Sequence, residues 1–192
     1  MFTARVDDEI ELRLLELQHA EAMHRLTEAN RAYLRRWLPW AETETTLQQT
    51  EAFIRRSLQQ FAEGNGFQAG IWYRQELAGA IGLHYVDRRN RRTEIGYWLA
   101  EHLQGRGIVT RACRAVIDHA FGPLGLHRVE IRCAAGNLRS RAIPRRLGFR
   151  EEGVLRQWIW VDGRFHDMVI YGLLASEWKR QPDSAGPSAA SL

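Results

Sequence analysis

Two cysteines, Cys113 and Cys133, are too few for a disulfide framework. The expectation is two free thiols in a reducing, cytoplasmic setting. No apolar run approaches the ~20 residues that span a bilayer. The stretch Met1 to Ile10 carries acids where a secretory signal has an apolar core, so no membrane partner is expected. Lysine is nearly absent: Lys179 is the single lysine among 27 basic residues. Genome composition accounts for such a skew without invoking function. The net charge of +4 permits an acidic or nucleic-acid partner without demanding one, and no direct nucleic-acid contact is expected. The seven histidines are scattered, so no metal site is expected. What remains is a chain of 192 residues, 45% hydrophobic and 26% charged, the balance of one globular domain with a real core.

Periodicity orders the elements. Glu9–Leu17 alternates as a strand, and His19–Leu34 recurs at helical spacing. The run Trp37-Leu38-Pro39-Trp40 breaks that helix, because proline disfavours helix at the residue before it. Thr46 is positioned to cap a second helix carrying Ile54, Leu58 and Phe61 on one face. Phe67–Tyr73, Leu77–Val86 and Thr93–Ala100 read as a three-strand meander. Helix Ile108–Phe121, strand His127–Cys133, helix Leu138–Leu147 and the strand pair Phe149–Trp160 and His166–Leu174 follow. The order β-α-α-β-β-β-α-β-α-β-β predicts an α+β domain around one largely antiparallel sheet. Residues 181–192, rich in Pro, Ser, Ala and Gly, read as a flexible tail.

The stretch Gln104-Gly105-Arg106-Gly107-Ile108-Val109-Thr110 follows a strand and opens a helix. Its glycines let backbone approach a ligand closely, and the helix start offers unpaired N–H groups with the positive end of the dipole. That combination suits phosphate. A P-loop is excluded, because no Gly-Lys-Ser/Thr closes the turn. A dinucleotide site, with Glu130 on the ribose, lacks the third glycine and the βαβ opening. A glycine-rich helix start that binds nothing stays open on this motif alone.

The flanks add to it. Glu94-Ile95-Gly96-Tyr97-Trp98-Leu99, the glycine-rich turn, Asn137-x-x-Ser140 and Leu147-Gly148-Phe149 stand in that order. They are joined by Asn30…Leu34-x-x-Trp37-x-Pro39-Trp40 and His166-Asp167-x-x-x-Tyr171. Together they resemble the Gcn5-related N-acetyltransferase (GNAT) superfamily, and within it the ribosomal-protein serine/alanine N-acetyltransferase branch. The resemblance covers roughly residues 9 to 179 and implies one acetyltransferase domain, 1–180, with a bulged strand in its sheet and helices flanking it.

The resemblance also implies acetyl-CoA as donor, CoA as product and no metal. Gln104, Gly105, Arg106, Gly107, Ile108, Val109 and Thr110 would hold the pyrophosphate. Main-chain groups of Trp98 and Leu99 would hold pantetheine beside a bulge that Gly96 suits, with Asn137 touching the same arm. The acceptor would be an amine: the N-terminus of a protein, possible small amines such as an antibiotic or polyamine standing as the alternative. The branch suggests an acidic ribosomal protein and leaves room for a homodimer. A catalytically silent acyl-CoA-binding module is the third reading. A thioester needs only a neutral amine, an oxyanion donor and a proton for the thiolate. Ser140 is the candidate acid, its plain alternative being a helix cap. Glu94 is the candidate base, its plain alternative a solvated carboxylate. Relatives carry a tyrosine on the short helix and a glutamate where Ile159 stands, and neither is present here. His84 reads as an ordinary sheet histidine, and Asp167 as a fixer of backbone. Trp37, Trp40, Trp158 and Trp160 could line an acceptor groove. Arg139, Arg141, Arg145 and Arg146 crowd the short helix, where one could meet a ribose phosphate. The turn Arg88 to Arg92 could draw in an acidic substrate or simply be solvated.

Overall fold

A computed structural model describes residues 3–178. The strands are β1 (Thr3–Arg5), β2 (Ile10–Leu14), β3 (Phe67–Tyr73), β4 (Glu76–Asp87), β5 (Arg92–Leu99), β6 (Arg128–Ala134), β7 (Arg150–Val161) and β8 (Arg164–Leu174). The helices are α1 (Ala20–Leu34), α2 (Leu47–Ala62), α3 (Ile108–Phe121) and α4 (Leu138–Arg146). One sheet runs β1-β2-β3-β4-β5-β6-β8-β7, antiparallel throughout except for β5 against β6. The α+β expectation holds. The sequence reading lacked β1, whose three residues are too short for alternation to register. The tail at 181–192 lies outside the described residues. Among the described residues no helix is long and apolar enough to cross a membrane.

The sheet buries two faces. On one, Ile81, Leu83, Ile95, Val129 and Ile131 pack with Ala112, Cys113 and Val116 of α3. On the other, Trp72 and Ala80 pack with Met23 of α1 and Ile54 of α2, and Trp98 leans against them. Alternation therefore sends Thr93, Ile95 and Tyr97 toward α3, and Glu94, Gly96 and Trp98 toward α1 and α2. Thr46 caps α2 as expected: its side chain accepts from the Gln49 N–H while Gln49 reaches back to the Thr46 N–H.

The parallel contact is short. Arg92, Thr93 and Glu94 face Arg128, Val129 and Glu130, and beyond that register the two strands part. Ile95 to Leu99 and Ile131 to Ala134 then form the walls of a wedge. A further irregularity lies one strand away. Leu83 pairs with Ile95 and Val86 with Thr93, so His84 and Tyr85 of β4 both answer to Glu94. The extra residue is thus in β4, on the strand that pairs with the one for which the resemblance implied a bulge. Gly96 is not the bulged residue; it pairs regularly with Gly82.

Candidate active site

A single cavity of about 1940 Å³ runs from the glycine-rich turn, through the wedge, to the aromatic elbow after α1. Ordinary small-molecule clefts are about 300–1,000 Å³, so this one has room for two ligands end to end.

The first end is backbone. Gly105 and Gly107 adopt φ of 76° and 72°, the left-handed region that side chains disfavour. A Cβ at either would meet nothing within 4 Å, so the space over the turn is open to a ligand. Gly107 is the residue preceding the first turn of α3, whose leading N–H groups have no intrahelical acceptor. Ile108 and Val109 are buried in the core, which leaves them only their main chain to offer. Valine in place of a smaller residue at 109 therefore obstructs nothing. Arg139 donates to the side chain of Gln104, joining α4 to the turn. Of the α4 arginines, Arg139 and Arg146 line the cavity. Arg141 instead binds the Tyr171 hydroxyl at 2.9 Å and the Ala135 carbonyl at 2.8 Å, and Arg145 pairs with Glu151 at 3.2 Å.

The wedge is where the sequence candidates meet. Asn137 caps α4, its Oδ1 accepting from the Ser140 N–H at 3.1 Å. The cap is thus Asn137, and the hydroxyl of Ser140 is released from that task. Ser140 Oγ lies 3.2 Å from Cys133 Sγ and 3.3 Å from the Tyr97 hydroxyl, toward which it can donate. Tyr97 in turn donates to the Ser140 carbonyl at 3.1 Å. Burial pushes the Tyr97 phenol well above its ordinary range, and burial raises the Cys133 thiol as well. Both stay protonated at neutral pH. Tyr97 of β5 thus brings a phenol hydroxyl to the start of a short helix that itself carries no tyrosine. Its place inside the strand motif concealed it, although alternation already sent it toward α3, the side on which α4 also packs.

Across the sheet lies the other half. Glu94 is 16% exposed; its Oε2 is 3.2 Å from Arg132 Nε and its Oε1 is 3.5 Å from His84 Nδ1. Arg132 also donates to Glu130 at 3.1 Å, and Glu130 is buried and bound by Arg128 at 3.0 Å. Glu130 is therefore held between two arginines of its own strand and does not line the cavity, which leaves it no ribose role. Glu94 is paired rather than solvated, and His84, half-exposed on β4, lines the same cavity.

The far end is aromatic. Trp37 and Trp40 line the cavity with Tyr33 and Phe53, and Trp40 approaches Trp98 at 6.1 Å between ring centroids. Trp158 and Trp160 do not join them; they are exposed on β7. Proline at 39 turns the chain, and polar ties hold the elbow. Arg31 donates to the Ala41 carbonyl at 3.0 Å and to the carbonyl of Thr43, while Glu28 accepts from Thr45 Oγ1 at 3.1 Å. Hydrogen bonds from Arg31, then from Thr45, lower the Glu28 carboxyl to about 2. Asn30 accepts from the Glu101 N–H at 2.8 Å, clamping α1 to the segment before the glycine-rich turn. Asp167 accepts from the Gln157 N–H at 2.8 Å, the backbone task expected of it. Ile159, at the position for which the resemblance implied a glutamate, pairs with His166 in the β7–β8 hairpin.

Comparison with known proteins matches this geometry to a chemistry. The model of the GNAT acetyltransferase domain matches residues 9–150. YdaF of Bacillus subtilis (strain 168), provisionally named a ribosomal N-acetyltransferase, is 44% identical over 93% of this chain and 98% of its own. A solved ribosomal L7/L12 α-N-protein acetyltransferase, RimL, holds coenzyme A as a disulfide with one of its cysteines. It aligns with TM-score 0.87 and 28% identity over 90% of this chain and 98% of that one. The microcin C7 self-immunity acetyltransferase MccE, solved with acetyl-CoA and AMP, aligns with TM-score 0.83 and 30% identity over 88% and 94%.

Proposed function

Because the chain belongs to the GNAT acetyltransferase family and is an N-acetyltransferase using acetyl-CoA, we propose that it acetylates the N-terminal α-amine of a ribosomal protein. One observation carries the reading: a single cavity has neutral proton donors on the α3 side of the wedge and a buried-edge carboxylate on the α1–α2 side. The residues suit the donor. Two left-handed glycines with open space above them allow the pyrophosphate to meet the N–H groups of Gly107 to Thr110. Gln104 and Arg106 flank that turn, with Arg139 and Arg146 offering charge from α4. The unpaired edge of β5 at Trp98 and Leu99 suits pantetheine amides, with Asn137 close by. When bound, acetyl-CoA supplies an already activated acyl group.

The chain's residues then have two tasks. Ser140, backed by the neutral Tyr97 phenol, hands a proton to the departing thiolate. Glu94, opposite, draws the acceptor's amino group to the wedge. An α-amine titrates near ~8, so roughly a tenth is neutral at pH 7, against well under about a thousandth of a lysine side chain near ~10.4. A site without a strong base therefore favours an N-terminus. The aromatic elbow would cover the first residues of the substrate. An acidic ribosomal substrate suits the net charge of +4 and the arginines at 88–92. A cytoplasmic location follows from such a substrate.

The test is a matched pair of peptides. One has a free N-terminus and no lysine; the other has a blocked N-terminus and one lysine. Release of CoA at pH 7 is expected chiefly with the first. Faster turnover of the blocked peptide, or of a polyamine, would reject the N-terminal reading. No release with any amine would leave a binding module.

A further inference from the structure

His84 stands at the irregular step of the β4–β5 pairing, where two residues of β4 oppose Glu94. A bulge of this kind turns a side chain out of regular alternation, and bulges recur beside active sites. This one is held from both sides. Gln60 of α2 donates to the His84 carbonyl at 2.7 Å, and Asn65 accepts from the Val86 N–H at 3.0 Å. The imidazole leans over Gly96, where a Cβ would lie 2.0 Å from Nε2. Glycine at 96 is therefore the residue that admits the ring to the wedge. Half-exposed, the ring lies beside the much less exposed Glu94, with Nδ1 3.5 Å from Oε1.

Glu94 itself is poorly arranged to take a proton. Arg132 stands against one oxygen and His84 against the other. A carboxylate that fixes one ring nitrogen of a histidine leaves the second as an acceptor, the usual division of labour in such pairs. Beyond Glu94, the charged groups of the packed elements are Arg132 on β6, which bridges Glu94 and Glu130, and Arg56 of α2, which lines the same cavity as His84; Tyr85 follows His84 on β4.

We infer that His84 is the proton acceptor of acetyl transfer, and that Glu94 is its positioning residue. The inference rests on the acetyl-transfer reading above. The amine nitrogen forms a bond to the acetyl carbon, the carbon–sulfur bond breaks, and its electron pair leaves on sulfur. The amine's surplus proton passes to His84 Nε2 on the α1–α2 side. The thiolate is protonated from Ser140 on the α3 side, and exchange with water restores both groups. Proton removal and proton delivery are thus separated by the sheet itself.

The test is the pH dependence of kcat/KM for His84→Gln, read together with acetyl-CoA affinity. Glutamine keeps a polar side chain of similar reach at an exposed position, so the bulge survives. A rate loss of about 10²-fold is expected, with unchanged acetyl-CoA binding. The profile of the unaltered enzyme breaks at two ionisations; that of the variant keeps the amine's alone. Gly96→Ala leaves the imidazole in the chain but displaces it, so the second ionisation disappears there too. A His84→Gln enzyme with the original rate and profile overturns the role of His84 alone. An unaltered enzyme that transfers acetyl to no amine overturns both this role and the functional reading.

Discussion

The two sides of the wedge are built from different materials. The α3 side is backbone and core: left-handed glycines, a helix start, and the cluster of partly buried Tyr97 and Ser140 with buried Cys133. The α1–α2 side is side chains: His84, Glu94 and Arg132 on the sheet, with tryptophans on an elbow held by Arg31, Glu28 and Thr45. Backbone recognition suits a partner that never changes, as the donor does not. Side chains on a loop suit an acceptor that differs between related enzymes, because loops vary without disturbing the sheet. MccE, a self-immunity acetyltransferase, and RimL, a ribosomal-protein acetyltransferase, share the fold while differing in task, which is the outcome such a division allows.

The sharpest way to break this contrast is Gly107→Val. A β-branched residue at φ of 72° is strained, by about 1–2 kcal/mol, and its side chain fills the open space over the turn. Losing two charge-assisted hydrogen bonds of about 1.5–3 kcal/mol each weakens acetyl-CoA binding by about 10²- to 10⁴-fold. Titration calorimetry on the folded variant checks this. Undiminished affinity would mean that the donor side is not carried by backbone.

Ser140 and Asn137 separate chemistry from capping within one helix. Ser140→Ala should lower kcat by about 10- to 10³-fold, at and below the usual range for an acid–base group. Its melting temperature and acetyl-CoA affinity should hardly move. Asn137→Ala should instead cost about 1 kcal/mol of stability, since it removes the cap. Thermal melts beside steady-state kinetics distinguish the two, and reversed effects would return Ser140 to a structural role.

The smallest effect belongs to the acceptor side and is seen in acid. Glu28 is lowered from 4.5 to about 2 by Arg31 and Thr45. A carboxyl depressed in the folded state contributes its stability in full above its unfolded value, and that contribution fades as pH falls from about 4.5 through 2. Glu28→Gln should therefore cost under about 1 kcal/mol near neutrality, as a partly exposed ion pair does. The difference from the unaltered protein should vanish toward pH 2. Denaturant melts followed by tryptophan fluorescence, across that window, are the measurement. A gap that persists at pH 2 would show that the elbow does not depend on this carboxylate.

Much of the fold was legible because its signals are local. Thr46 with Gln49 marks the start of α2, the Arg74-Gln75 turn closes the β3–β4 hairpin, and the spacing from Ile108 to Ala120 marks a buried helix face. The glycine-rich turn was legible for the same reason: two glycines before a helix are a statement about φ. Ser140, Asn137 and Glu94 were found in the motifs, with Ser140 left open between acid and helix cap. Whether Ser140 caps α4 depends on which neighbour's oxygen reaches its N–H, a matter of a few tenths of an ångström.

The sequence by itself determined the order of every helix and strand but β1, the α+β class, the glycine-rich turn and the aromatic character of the elbow, because each follows from spacing along the chain. Tertiary structure alone decided three things. Tyr97 stands 43 residues from Ser140 in the chain and meets its hydroxyl only because the wedge opens past Glu94. The tryptophans divided, Trp37 and Trp40 toward the cavity and Trp158 and Trp160 toward solvent, because the chain's path around the sheet sets which face an aromatic meets. His84 joined Glu94 because an extra residue in β4 turned it over Gly96. A bulge is a mismatch between two strands, and a mismatch exists only once both strands are paired.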